Sequence, residues 1–120
     1  MKYMLLIYNN AATLQAMSED ERNAFTAEID PLMAELTESG ELVGGDALAD
    51  PVNTKTVRVR NGVPAVTDGP FLEAKEQFAG YLMIETDNPE RAVEIATRWP
   101  DAKLWHMEVR PIMDSTGQEM

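Results

Sequence analysis

The sequence predicts an α+β fold in which two helices interleave with a mostly antiparallel sheet. Three observations carry this expectation. The chain opens on a strand-length apolar run, Met4-Leu5-Leu6-Ile7-Tyr8. Two later stretches, Phe25 to Leu36 and Ala92 to Trp99, place apolar residues at helical spacing. Between them, Asn61-Gly62 separates two strand-like segments, the strongest short signal for a hairpin. In order, the elements read as a ferredoxin-like βαββαβ layer with a β-hairpin inserted between its halves.

The first strand is expected over residues 2–8. Both of its alternations are apolar (Tyr3, Leu5, Ile7 and Met4, Leu6, Tyr8), so both faces ask for cover. Ser18 with Glu21 three residues on forms a capping box that starts the first helix. Phe25, Ile29, Leu32, Met33 and Leu36 give that helix one apolar stripe, and Gly40 stops it. Pro31 lies inside it, where a missing backbone donor predicts a kink. A second strand over 41–48 is loosened by Gly44-Gly45. The hairpin arms are 54–60 and 63–67, and Pro64 marks the second as an edge strand. A strand over 77–86 follows. Asn88-Pro89 then supplies an N-cap and a first-turn proline for the second helix. Its inner face is Ala92, Ile95, Ala96 and Trp99, and Pro100 ends it. The last strand is expected over 103–112, before a polar, frayed tail over 114–120.

A chain of 120 residues fits one domain, here residues 1–113 plus the tail, and 44% hydrophobic content excludes a disordered chain. A formal charge of −11 opposes direct binding to nucleic acid or to an anionic membrane, while a locally basic pocket still admits a small acidic molecule. The opening apolar run is too short to cross a membrane or to form a signal-peptide core, and cysteine is absent, so a cytoplasmic setting is expected. No P-loop, nucleophile elbow or calcium loop is present, and one histidine without cysteine gives no metal-ligand spacing. The expectation is therefore no cofactor and no metal. One helical layer cannot cover both faces of the first strand. A second copy packing sheet against sheet would, which predicts a homodimer.

The run Asp68-Gly69-Pro70-Phe71-Leu72-Glu73-Ala74-Lys75-Glu76 concentrates ionisable groups beside two backbone specialists. Gly69 is free to take positive φ and Pro70 fixes its own, so the run holds a sharp corner. Asp68 is first a turn residue whose carboxylate accepts backbone N–H bonds, and second a candidate general base. Lys75 is an anion-binding candidate or a solvated charge, and Glu76 is an interior carboxylate or a strand flank. On the last strand, alternation puts Trp105, Met107 and Val109 toward the core, and His106, Glu108 and Arg110 on the other face. His106 is the only histidine, and an unperturbed imidazole titrates near neutrality, which suits acid–base work. The plainer role for it is a satisfied interfacial residue. Arg110 has the geometry to grip a carboxylate, with an ion pair to Glu108 as its plainer role. Tyr8 and Tyr81 bring hydroxyls to the same region, or are core tyrosines with wet tips.

The stretch from Val66 to Gln77 resembles the signature of the YCII-related family in its DGPF-domain branch. The opening Met1 to Tyr8, the Gly80-Tyr81 pair and the closing Glu108-Val109-Arg110-Pro111-Ile112 fit the same branch. The resemblance implies a dimeric α+β barrel, with two ferredoxin-like subunits facing each other around a cleft. It also implies kinship with small lyases or isomerases that use a His–Asp pair, and an association of relatives with extracytoplasmic-function sigma factors. This chain departs in one respect. Its first helix, Ser18 to Ser39, has no histidine, so the family pair does not carry over. Three readings follow: a small-molecule cleft between facing sheets; a cofactor-independent lyase- or isomerase-like enzyme with Asp68 and His106 as acid–base groups; and a regulatory interaction module linked to sigma factors. Tyr8, Lys75, Glu76, Tyr81, Glu108 and Arg110 are the ligand-binding candidates in the first two.

Overall fold

A computed structural model describes residues 1–118. Strand β1 spans Lys2–Asn9 and is followed by three helices, α1 (Ala11–Ala16), α2 (Glu19–Thr26) and α3 (Ile29–Ser39). Next come β2 (Leu42–Ala47), a 3-10 turn (Pro51–Asn53), and the hairpin β3 (Lys55–Arg60) and β4 (Val63–Asp68). The chain closes with β5 (Gln77–Glu85), α4 (Pro89–Arg98), α5 (Asp101–Leu104) and β6 (His106–Pro111). The main sheet has the order β2-β5-β1-β6 with every neighbouring pair antiparallel, the ferredoxin-like arrangement.

The core lies between this sheet and one helical layer. Tyr3, Leu5 and Ile7 of β1 meet Leu82 and Ile84 of β5, Leu32 and Leu36 of α3, and the α4 face made by Ala92, Ile95 and Ala96. Fully burying an aliphatic side chain of this kind contributes about 1.5–3 kcal/mol. The opposite face of the sheet carries Met4, Leu6, Tyr8, Tyr81 and Met83, only half-buried, and no helix among the described residues packs over it.

Several local expectations hold for the reasons that predicted them. Ser18 and Glu21 form both halves of the capping box. The Asn88 side chain accepts from the Glu90 amide with Pro89 in the first turn of α4. Asn61 and Gly62 both take positive φ, as a two-residue hairpin turn requires. Gly44 sits at a register shift between β2 and β5.

Two expectations need correction. The first helix is not one kinked rod: it breaks at residues 27–28 into α2 and α3, upstream of Pro31. Pro31 falls in the first turn of α3, where a backbone N–H has no helical partner to lose, so it suits a fresh start better than a kink. The last strand starts later than expected, at His106. Lys103 and Leu104 belong to α5, and the Trp105 amide donates to the Asp101 carbonyl at 2.8 Å, so Trp105 closes a helical turn. Trp105 instead packs edge-on against Phe25 of α2, with ring centroids 5.8 Å apart. In the tail, Asp114 accepts from the Thr116 and Gln118 amides at 2.9 and 3.0 Å, a turn closed within the tail itself. The last two residues of the expected tail, 119 and 120, lie outside the described residues.

The β3–β4 hairpin stands away from this body. All of β4 is exposed, and the register places Val57 opposite Val66 and Val59 opposite Pro64 on one uncovered apolar face. The radius of gyration, 16.6 Å, reflects the arm. A compact 120-residue chain would have about 14 Å.

Candidate functional site

The uncovered sheet face carries an ordered polar corner. Antiparallel register sets His106 opposite Tyr8, Glu108 opposite Leu6 and Arg110 opposite Met4. Directly opposed residues share a face, so β6 lines one edge of an apolar strip with three polar side chains. The Tyr8 and His106 rings stack, with centroids 4.4 Å apart and planes 12° from parallel. Phe78 of β5 touches the Tyr8 ring from the other side at 5.7 Å. It reaches that face because the β1–β5 register shifts between Ile7 and Tyr8.

Glu76 completes the corner. Its Oε1 lies 2.8 Å from His106 Nδ1. A carboxylate at Nδ1 calls for a proton there, which leaves Nε2 as the acceptor of the neutral ring, facing away from Glu76. The approach of Glu76 is set by its neighbours. Asn10, which also caps α1, donates from Nδ2 to the Lys75 carbonyl at 2.8 Å, and Gln77 Nε2 donates to the Ala74 carbonyl at 2.9 Å. Tyr8 is held above its ordinary pKa, chiefly by hydrogen bonding with the Glu108 carboxylate and then by burial. Its hydroxyl therefore stays protonated across the neutral range. The corner thus combines a hydrogen-bond acceptor, a neutral phenol, two carboxylates and a guanidinium.

The remaining candidates are elsewhere. Asp68 stands at the base of the hairpin, ion-paired with Lys55. It makes neither the expected turn contacts to backbone N–H groups nor a contact with His106; the histidine is paired with Glu76. The corner at Gly69 is instead tied to the hairpin by its backbone: Gly69 N–H donates to the Thr54 carbonyl at 2.7 Å, and Thr56 Oγ1 to the Gly69 carbonyl at 2.7 Å. Gly69 has φ of +86°, the conformation expected of it. The Lys75 side chain is exposed, and its carbonyl is the group that Asn10 engages. Tyr81 lies toward the β2 edge of the open face, its hydroxyl donating to Asp46 Oδ2 at 3.0 Å, which raises its pKa. Phe78 and Asn10 were not legible as parts of the site. Simple alternation turns Phe78 the wrong way, because a register shift has no sequence mark here, and Asn10 reads only as a cap. Among the described residues, no three or more histidine, aspartate or glutamate side chains gather as a metal site.

Fold and corner together define a ferredoxin-like α+β protein with an acid–base-capable polar edge on its uncovered sheet face. Residues 1–116 match the YCII-related domain, and the chain belongs to that family. It is 29% identical over 114 residues to uncharacterized protein R00369 of Rhizobium meliloti (strain 1021), an overlap of 93% of this chain and 92% of that one. Its structure is similar to that of 5-chloro-2-hydroxyhydroquinone dehydrochlorinase (TftG) from Burkholderia phenoliruptrix AC1100, solved in complex with 2,5-dihydroxybenzoquinone. That superposition covers 99% of this chain and 100% of the other, with a TM-score of 0.51 and 14% identity. At such identity the likeness is one of fold.

Proposed function

We propose that this chain acts as a homodimer whose facing sheets enclose a cleft, and that the cleft binds a small acidic or polar molecule at the Tyr8–His106–Glu76 corner. The observation that carries the reading is that corner: a stacked, hydrogen-bonded acid–base group on a face that also carries Met4, Leu6, Tyr81 and Met83. An apolar strip this regular, left without cover by its own helices, supports a second copy as its cover. Arg110, exposed on the same edge, supports an acidic ligand group.

The His106–Glu76 bond also favours a second reading, a cofactor-independent lyase- or isomerase-like enzyme. In it, His106 Nε2 takes a proton from the substrate, Glu76 orients the ring and stabilises the imidazolium, and Arg110 holds an acidic group. Glu76 replaces Asp68 as the partner in this arrangement. The fold likeness to a dehydrochlorinase is compatible with such chemistry. The test is thermal stabilisation of the chain by 2,5-dihydroxybenzoquinone and a set of small carboxylates, alongside light scattering. Dimer mass, and stabilisation that His106→Ala weakens by about tenfold in affinity, are expected. Monomer mass throughout, or ligand stabilisation indifferent to His106→Ala, would overturn the reading. Turnover that disappears in His106→Ala, while binding survives, would favour the enzyme.

A further inference from the structure

The β3–β4 arm has two unlike faces. Its register puts Val57 opposite Val66 and Val59 opposite Pro64 on one face, and Thr56, Arg58 and Arg60 on the other. The second face is partly occupied by its own chain. The Arg58 guanidinium sits 4.9 Å from the centroid of the Phe71 ring, and Thr56 Oγ1 donates to the Gly69 carbonyl at 2.7 Å. The first face is bare, with Val57, Val59 and Val66 exposed to 61%, 54% and 62%. A two-stranded ribbon alone in water is marginal, and gains stability when an apolar face packs on something.

Three features bear on what covers that face. Its own body does not, since all of β4 is exposed. A second arm paired edge to edge is opposed at Pro64, which has no N–H to offer along the β4 edge. Charge then separates the remaining choices. Lys55, Arg58 and Arg60 against Asp68 alone leave the arm, residues 55–68, at +2; with −11 for the whole chain, the remainder stands at −13. Two arms repel and two bodies repel, while an arm and a body attract.

We propose that the arm is a clamp for a second copy of this chain. It lays its Val57, Val59 and Val66 face on the acidic body of the partner, and the partner's arm does the same in return. The inference rests on the homodimer proposed above, and adds to the facing sheets a separate contact steered by charge. Salt screens attraction between exposed charges, so it weakens the arm contact more than the apolar sheet contact.

The chain has no cysteine, so Val63→Cys supplies a single thiol near the arm tip, at a position 65% exposed and on the face away from the contact. It is labelled with a benzophenone maleimide in an equal mixture of unlabelled and isotope-labelled chain refolded together. After irradiation, cross-linked peptides are identified by mass spectrometry, beside light scattering. The expected pairs join the arm of one isotope form to residues outside 55–68 of the other. Adding Val59→Asp should remove most of these pairs while the mass stays that of a dimer. Dimer mass with pairs only within one chain, only between arms, or indifferent to Val59→Asp would overturn the clamp and leave the facing-sheet dimer standing. Monomer mass would overturn both.

Discussion

At the scale of single residues, the polar corner works by placing one charge beside one neutral donor. Glu108 acts on Tyr8 more than burial does, and both push the phenol up. Replacing Glu108 by glutamine removes the larger cause, so the Tyr8 titration, followed as tyrosinate absorbance, should move down toward the ordinary tyrosine range. An unmoved titration would mean that burial alone holds it. The row of His106, Glu108 and Arg110 was legible from period-two alternation, because a strand edge puts alternate residues on one face. The partner of His106 was not. Asp68 and Glu76 are both carboxylates in one short run, and which one reaches the imidazole depends on Asn10 and Gln77 holding the backbone at residues 74–75. Such long-range fixing leaves no local pattern. Asp68 is claimed instead by Lys55, across a hairpin register that the sequence predicted without its consequence.

At the scale of elements, caps and stripes were readable because they are local, and the breaks were not because they depend on packing. Pro31 shows the difference: its ring tells where a helix is interrupted or begun, not which. How the helices are joined to the sheet is also tertiary. Arg91 of α4 donates from Nε to Glu41, just before β2, at 2.8 Å, and reaches Glu94 and Glu35 at 2.8 and 3.2 Å. The Arg91 guanidinium holds the Glu41 carboxyl down to about 2, from an ordinary value of 4.5. A carboxylate with a depressed folded pKa stabilises above its unfolded pKa, and that contribution is lost as pH falls. The Arg91–Glu41 contribution is therefore complete above 4.5 and gone near 2. Both side chains are about one-fifth exposed, so solvent screens the pair. Arg91→Ala should cost roughly 1–2 kcal/mol in denaturant melts at neutral pH. The gap between variant and parent should close in melts repeated toward pH 2. A gap independent of pH would assign the loss to the packing of the arginine stem.

At the scale of the whole molecule, two apolar surfaces lack cover among the described residues: the sheet face with Met4, Leu6 and Met83, and the arm face with Val57, Val66 and Val59. The first was foreseen from the double alternation of β1, since an apolar residue on each face demands two covers and the helices supply one. The second was not, since a hairpin read from Asn61-Gly62 carries no information on whether it folds back or projects. Charge bears on how the two differ. The arm holds Lys55, Arg58 and Arg60 against Asp68 alone, in a chain of formal charge −11, so arm and body attract where body and body repel. Leu6→Glu places a carboxylate in the centre of the sheet face without touching the core side of β1, so the secondary structure should be kept. On our reading it should shift the mass from dimer to monomer in light scattering at micromolar concentration. Val57→Asp on the arm should weaken the dimer less, because the sheet face alone spans the central strands. The reverse ranking would make the arm the principal contact and leave the sheet face open to solvent. The His106 corner would then be a surface feature with no cleft around it.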